Sequence, residues 1–120
     1  MEKILIADDY EDNADVFKLI LETEGYQTKV VNTSINILQE VENFQPHLIV
    51  LDVQLGNIDG RIIARLIKNS IRLKDIKIIL TSAGLDEKKV QQIPTEDYDN
   101  FLFKPFDIAN FSKSVKSLLS

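Results

Sequence analysis

Four short apolar runs punctuate the chain: ILIA at 4–7, LIVL at 48–51, IKIIL at 76–80 and FLF at 101–103. The first three are nearly continuous rather than alternating. A strand wetted on one side alternates polar and apolar residues, so runs of this kind predict strands buried on both faces, as in a parallel sheet covered by helices. FLF is too short to decide by itself. A fifth segment, QTKVV at 27–31, is half polar and predicts an edge strand.

Helical spacing fills the intervals. Residues 12–24 carry Val16, Phe17, Ile20 and Leu21 on one face, and Gly25 is the expected stop. Residues 34–44 carry Ile37, Leu38, Val41 and Phe44, with Ser34 as the N-cap and Pro46 separating the helix from the next strand. Residues 59–69 carry Ile62, Ile63, Leu66 and Ile67; residues 107–119 carry Ile108, Phe111, Val115, Leu118 and Leu119 behind an Asp107 cap. All these apolar positions read as core. Residues 86–92 predict a short helix limited by Pro94, with loop through PTEDYDN. Strand and helix thus alternate five times, which predicts an α/β fold: a doubly wound parallel sheet with helices on both faces and right-handed crossovers. The 120 residues suffice for one domain with a real core, and no repeat or linker divides them.

Composition removes several function classes. There is no cysteine, so disulfides and thiolate metal sites are excluded, and the single histidine rules out a histidine-rich cluster. A net charge of -5 argues against direct nucleic-acid binding. No apolar run approaches the roughly 18 residues of a membrane span. MEKILIADD reaches acidic residues without a secretory apolar stretch, so a cytoplasmic protein with no membrane contact is expected.

The strands share one property at their carboxyl ends. The first runs into Asp8 and Asp9, the third into Asp52, the fourth into Thr81 and Ser82, the fifth into Lys104 and Pro105. In a parallel sheet these groups converge on the edge where ligands bind. Clustered carboxylates raise one another's pKa unless a cation relieves them, and Mg²⁺ favours one or two carboxylates with water and phosphate oxygens. Asp52 is then a competent nucleophile for phosphoryl transfer, Lys104 a compact positive charge and Ser82 a hydroxyl donor. Each signal has an ordinary reading alone. An Asp pair caps helices, Asp52 opens a turn before Gly56, Thr81 and Ser82 satisfy backbone groups, and Lys104 is a solvated lysine. Their coincidence at four strand ends is what carries weight.

ILIADD at 4–9, LIVLDVQL with IDG at 48–60, IILTSA at 78–83 and FLFKPF at 101–106 together resemble the receiver domain of two-component response regulators, over essentially the whole chain. The resemblance implies a flavodoxin-like sheet of strand order 2-1-3-4-5. It implies Asp52 as phosphoacceptor and Mg²⁺ (with Mn²⁺ as an alternative ion) held by Asp8, Asp9, Asp52 and the backbone carbonyl of Gln54. Lys104 would pair with phosphoryl oxygens, often beside a cis peptide to the following proline. Ser82 would be the switch hydroxyl, with Thr81 as runner-up, and Phe101 the switch aromatic. The implied partners are a sensor histidine kinase or histidine phosphotransfer protein and a downstream protein or effector domain, with a homodimer possible on phosphorylation. Such a domain is not an enzyme beyond its own phosphorylation and dephosphorylation. With no effector domain after the last helix, a stand-alone regulator or a receiver from a larger protein is expected.

Two departures from the family pattern stand out. Gly56 replaces the usual proline after the acceptor, so a looser loop is expected there. Residues 91–100 lack the usual small-residue pattern, which puts dimerisation through the common output face in doubt. Three alternatives remain: a degenerate receiver that binds partners without phosphorylation, an aspartate-nucleophile phosphatase, and a nucleotide or flavin binder. Val53 and Gln54 stand where the phosphatase needs a second acid, and no GxGxxG or GxxxxGK[ST] occurs.

Overall fold

The apolar runs form the middle of one five-stranded parallel sheet. In a computed structural model that describes residues 1–31 and 36–120, its strands are β1 (Lys3–Ala7), β2 (Gln27–Val31), β3 (Leu48–Asp52), β6 (Lys77–Ser82) and β7 (Asn100–Phe103). Their order is β2-β1-β3-β6-β7, which is 2-1-3-4-5 when only these strands are counted. Central β3 is buried at all five residues, while β2 alternates in exposure at one edge, as its half-polar sequence predicts. Strands β4 (Gln54–Leu55) and β5 (Ile58–Asp59) form a small antiparallel hairpin just beyond β3.

Period-two alternation divides the side chains between the two faces. Ile4, Ile6, Leu48, Val50 and Ile79 pack with Ala14, Phe17 and Leu21 of α1 (Glu11–Thr23) and with Phe111 and Val115 of α5 (Ile108–Leu119). Their neighbours Leu5, Ala7, Ile49, Leu51, Ile78 and Leu80 pack with Ile37 and Val41 of α2 (Ile37–Phe44) and Ile63, Ala64 and Ile67 of α3 (Gly60–Lys68). Helix α4 (Glu87–Gln91) is a single short helix capped by Asp86, and the segment beyond Pro94 adds only a 3₁₀ turn at Thr95–Asp97. Among the described residues, no helix is long and apolar enough to cross a membrane.

Local signals explain the boundaries. Gly25, at φ +95°, ends α1 in the left-handed conformation that glycine adopts without cost. Asp107 caps α5 by accepting from Ala109 N at 2.8 Å. The expected Ser34 cap lies outside the described residues.

Not every apolar helix position is core. Val16 (49% exposed), Ile62 (57%), Leu66 (49%) and Ile108 (58%) face outward. A helix lying on a sheet buries one stripe; in α3 that stripe is Ile63, Ala64 and Ile67, and Ile62 and Leu66 fall one position outside it.

Candidate functional site

The carboxyl ends of β1, β3, β6 and β7 lie side by side, and the polar residues just past them converge. Asp8, Asp9 and Asp52 offer carboxylate oxygens that all lie within 4.8 Å of one another. Asp8 and Asp52 are buried and Asp9 is exposed. Lys104 Nζ donates to Asp8 Oδ2 at 2.9 Å and to Asp52 Oδ2 at 3.2 Å. Backbone amides complete the set: Tyr10 N to Asp8 Oδ1 at 2.9 Å, Gln54 N to Asp52 Oδ1 at 3.1 Å, and Gly56 N to Asp9 Oδ2 at 3.1 Å.

The chain folds this way locally because two backbone contacts leave no slack. Lys104 N donates to Ser82 O at 2.9 Å, seating the lysine at the end of β6. Gly60 N donates to Val53 O at 2.6 Å, bringing the start of α3 against the end of β3. A β-carbon on Gly60 would stand 2.1 Å from the Asp52 carbonyl oxygen, so only glycine fits there.

Charge follows from this packing. Burial, the largest influence on Asp52, raises its pKa; the Lys104 charge opposes it, the neighbouring Asp8 reinforces it, and the result lies above the ordinary aspartate value. For Lys104, burial works against the ammonium. The hydrogen bond to Asp8 and the charges of Asp52 and Asp8 outweigh it, and the pKa rises above that of a free lysine. Three carboxylates against one ammonium leave an excess of negative charge. The donors are oxygens alone, a set suited to a hard divalent cation, so the cluster could hold one.

The remaining sequence-predicted residues surround this core. Ser82 is buried, and its Oγ accepts from Gly84 N at 3.0 Å and Leu85 N at 3.2 Å. Thr81 is laterally paired with Asp52 across β3 and β6, and its buried Oγ1 has no hydrogen-bond partner among the described residues. Strand alternation puts Thr81 on the face of Ile79 and Ser82 on the face of Leu80. Phe101 is half-buried on edge strand β7, 6.2 Å from the Tyr98 ring and 5.0 Å from Phe103. Gln54 meets Asp52 through its amide. The Lys104–Pro105 bond is cis, as anticipated.

The loop after Asp52 has a defined local form: residues 54–59 close into the β4–β5 hairpin, with Gly56 at φ +57° in its turn. Glycine suits a tight two-residue turn that proline, with φ fixed near -65°, cannot make. Two further features carried no sequence signal. One is the Gly56 amide on Asp9. The other is a cavity of about 460 Å³ lined by Tyr10, Val16, Phe17, Phe106 and Ile108 and reaching Lys104.

Residues 4–116 match the response regulator receiver domain family. The chain belongs to that family. Receiver domains are the signalling domains of two-component systems, and this one is similar along its whole length to known members. The polar-differentiation response regulator DivK of Brucella ovis is 27% identical over 121 residues, covering 98% of this chain and 96% of that protein. The receiver domain of a signal transduction histidine kinase from Syntrophus aciditrophicus is 31% identical with a TM-score of 0.89, covering 99% of this receiver domain and 90% of that chain. The receiver domain of a DNA-binding response regulator from Colwellia psychrerythraea 34H shares the fold at a TM-score of 0.92 and 22% identity, covering 99% and 98%.

Proposed function

We propose that this chain is a single receiver domain, residues 1–120, that takes a phosphoryl group on Asp52 from a histidine kinase or histidine phosphotransfer protein in the cytoplasm. The observation that carries this reading is the Lys104 ammonium held between Asp8 and Asp52, beside Asp9, at the sheet edge. Asp8, Asp9, Asp52 and the Gln54 carbonyl are the proposed Mg²⁺ ligands. When bound, that ion would neutralise charge on phosphoryl oxygens.

The protein's own groups do the rest. A carboxylate oxygen of Asp52 attacks phosphorus as the bond to the donor imidazole nitrogen breaks, and that nitrogen leaves with the electron pair. The product is an acyl phosphate on Asp52. Lys104, already 3.2 Å from Asp52, pairs with an incoming phosphoryl oxygen. Ser82 accepts two loop amides through its oxygen and keeps its proton to donate. Drawing that hydroxyl toward the phosphoryl group releases the amides of Gly84 and Leu85, and the loop leading to α4 shifts. Phe101, half-buried beside Tyr98, changes packing with it, and a downstream partner that prefers one arrangement reads the state. The apolar cavity bordering Lys104 supports a protein donor, which needs apolar contact area beside the acceptor.

Intact mass after incubation with a small-molecule phosphoryl donor tests the proposal. One phosphoryl adduct is expected on wild type with Mg²⁺, and none on Asp52→Asn or without the ion. Folded wild type that gains no adduct in Mg²⁺ would replace this reading with a phosphorylation-independent binding module.

A further inference from the structure

Asp9 is the exposed member of the acidic cluster, so burial does not set its carboxylate in place. Asp8 and Asp52 are each held by Lys104 and by a backbone amide close in sequence. For Asp9 the anchor among the described residues is one distant amide: Gly56 N donates to its Oδ2 at 3.1 Å, across 47 residues. Gly56, at φ +57°, is the first residue of the turn joining β4 to β5, the position glycine takes in a type II′ hairpin. Proline there would lack both the conformation and the N–H.

We propose that Gly56 is a positioning residue for the cation site: its N–H orients the Asp9 carboxylate toward a divalent ion. Order in the hairpin after Asp52 is thereby linked to occupancy of the site. This rests on the reading of the cluster as a Mg²⁺ site. A ligating carboxylate oxygen keeps a lone pair for an outer hydrogen bond, and losing such a partner costs about 10–100-fold in metal affinity. The linkage is reciprocal, so whatever affinity the hairpin adds to the ion, the ion returns as hairpin stability. Because β5 ends in Asp59, which caps α3, the ion steadies the start of that helix as well.

The test uses the full chain and Mg²⁺ alone. Calorimetric titration is run on wild type, Gly56→Pro and Asn57→Pro, and exchange of the Gly56 amide is followed by nitrogen-15 NMR with and without the ion. Asn57→Pro adds the same ring one residue later, at a position without positive φ, and leaves the Gly56 N–H in place. Gly56→Pro is expected to weaken Mg²⁺ binding about tenfold or more and Asn57→Pro far less, and Mg²⁺ is expected to slow Gly56 amide exchange several-fold. Equal affinity of wild type and Gly56→Pro, or an exchange rate that Mg²⁺ leaves unchanged, overturns the inference. Should Gly56→Pro not fold, the exchange rates of wild type decide alone. Wild type that binds no Mg²⁺ overturns the metal reading itself, and the inference with it, which separates the two failures.

Discussion

Lys104 Nζ stands 3.2 Å from Asp52 Oδ2, an ion pair between residues 52 apart in sequence with both side chains largely shielded from water. The same ammonium reaches Asp8, so one cation offsets two buried carboxylates. Removing one partner of such a group leaves the others desolvated and unpaired.

Lys104→Met is therefore expected to cost about 1–3 kcal/mol near pH 7, measured by urea unfolding, since a buried charged group is left without its partner. The loss should shrink as pH falls and Asp52, whose folded pKa is raised chiefly by burial, takes up its proton. Wild type has its own signature. The folded pKa of Lys104 lies above the unfolded one, so its contribution is full below about pH 10.4 and is lost as pH rises through the folded value. The variant should lack that alkaline decline.

Asp52 has the opposite sign. Its folded pKa lies above the unfolded one, so the native state holds the proton more tightly and ionisation costs stability. The cost is absent below about pH 3.9 and complete once pH has risen through the folded value. Metal-free Asp52→Asn should melt higher than wild type at pH 7, by up to about 4 °C, the shift that ~1 kcal/mol gives a domain of this size. A lower melting temperature than wild type would show that the Lys104 pairing outweighs the burial cost.

Gly60→Ala forces a β-carbon against the Asp52 carbonyl, so the start of α3 or the end of β3 must move. Overpacking of this kind costs about 1–3 kcal/mol. Because the displaced backbone is that of the acceptor, phosphorylation measured by intact mass should fall with it. A variant as stable and as readily phosphorylated as wild type would contradict the close approach.

Asp59 serves α3 as N-cap, accepting from Arg61 N at 2.9 Å, and also pairs with the Arg61 guanidinium. That side-chain hydrogen bond, the largest influence, holds its pKa below the usual value against a smaller effect of burial. Its contribution is present above about pH 3.9 and is lost as pH falls through the lower folded value. Asp59→Ala should cost about 1 kcal/mol at neutral pH by chemical denaturation. The difference from wild type should narrow at the acid end.

Much of the architecture was legible because burial on both faces writes itself into composition. LIVL reads as a central parallel strand and QTKVV as an edge strand, and the sheet places them so. The strand ends then marked Asp8, Asp9, Asp52 and Lys104 in advance, since parallel strands carry their carboxyl ends to one side. Helix faces were less legible. Ile62 and Ile63 are the same residue type, and only the orientation of α3 on the sheet decides that one is exposed and the other buried. Side-chain patterns also say nothing of where a hydroxyl turns, so the choice of Ser82 over the runner-up Thr81 as switch hydroxyl rested on the resemblance. In the folded chain Ser82 accepts two loop amides while the Thr81 hydroxyl is buried without a partner among the described residues.

By itself, then, the sequence determined the sheet, its strand order through the resemblance, and the residue types at its carboxyl edge, because these follow from local periodicity and from how a parallel sheet must be wound. Only the tertiary structure decided that Gly56 closes a hairpin onto Asp9 and that Lys104 bridges two acids. Both are contacts between segments far apart in the chain, and the first is made by a backbone amide that every residue but proline possesses.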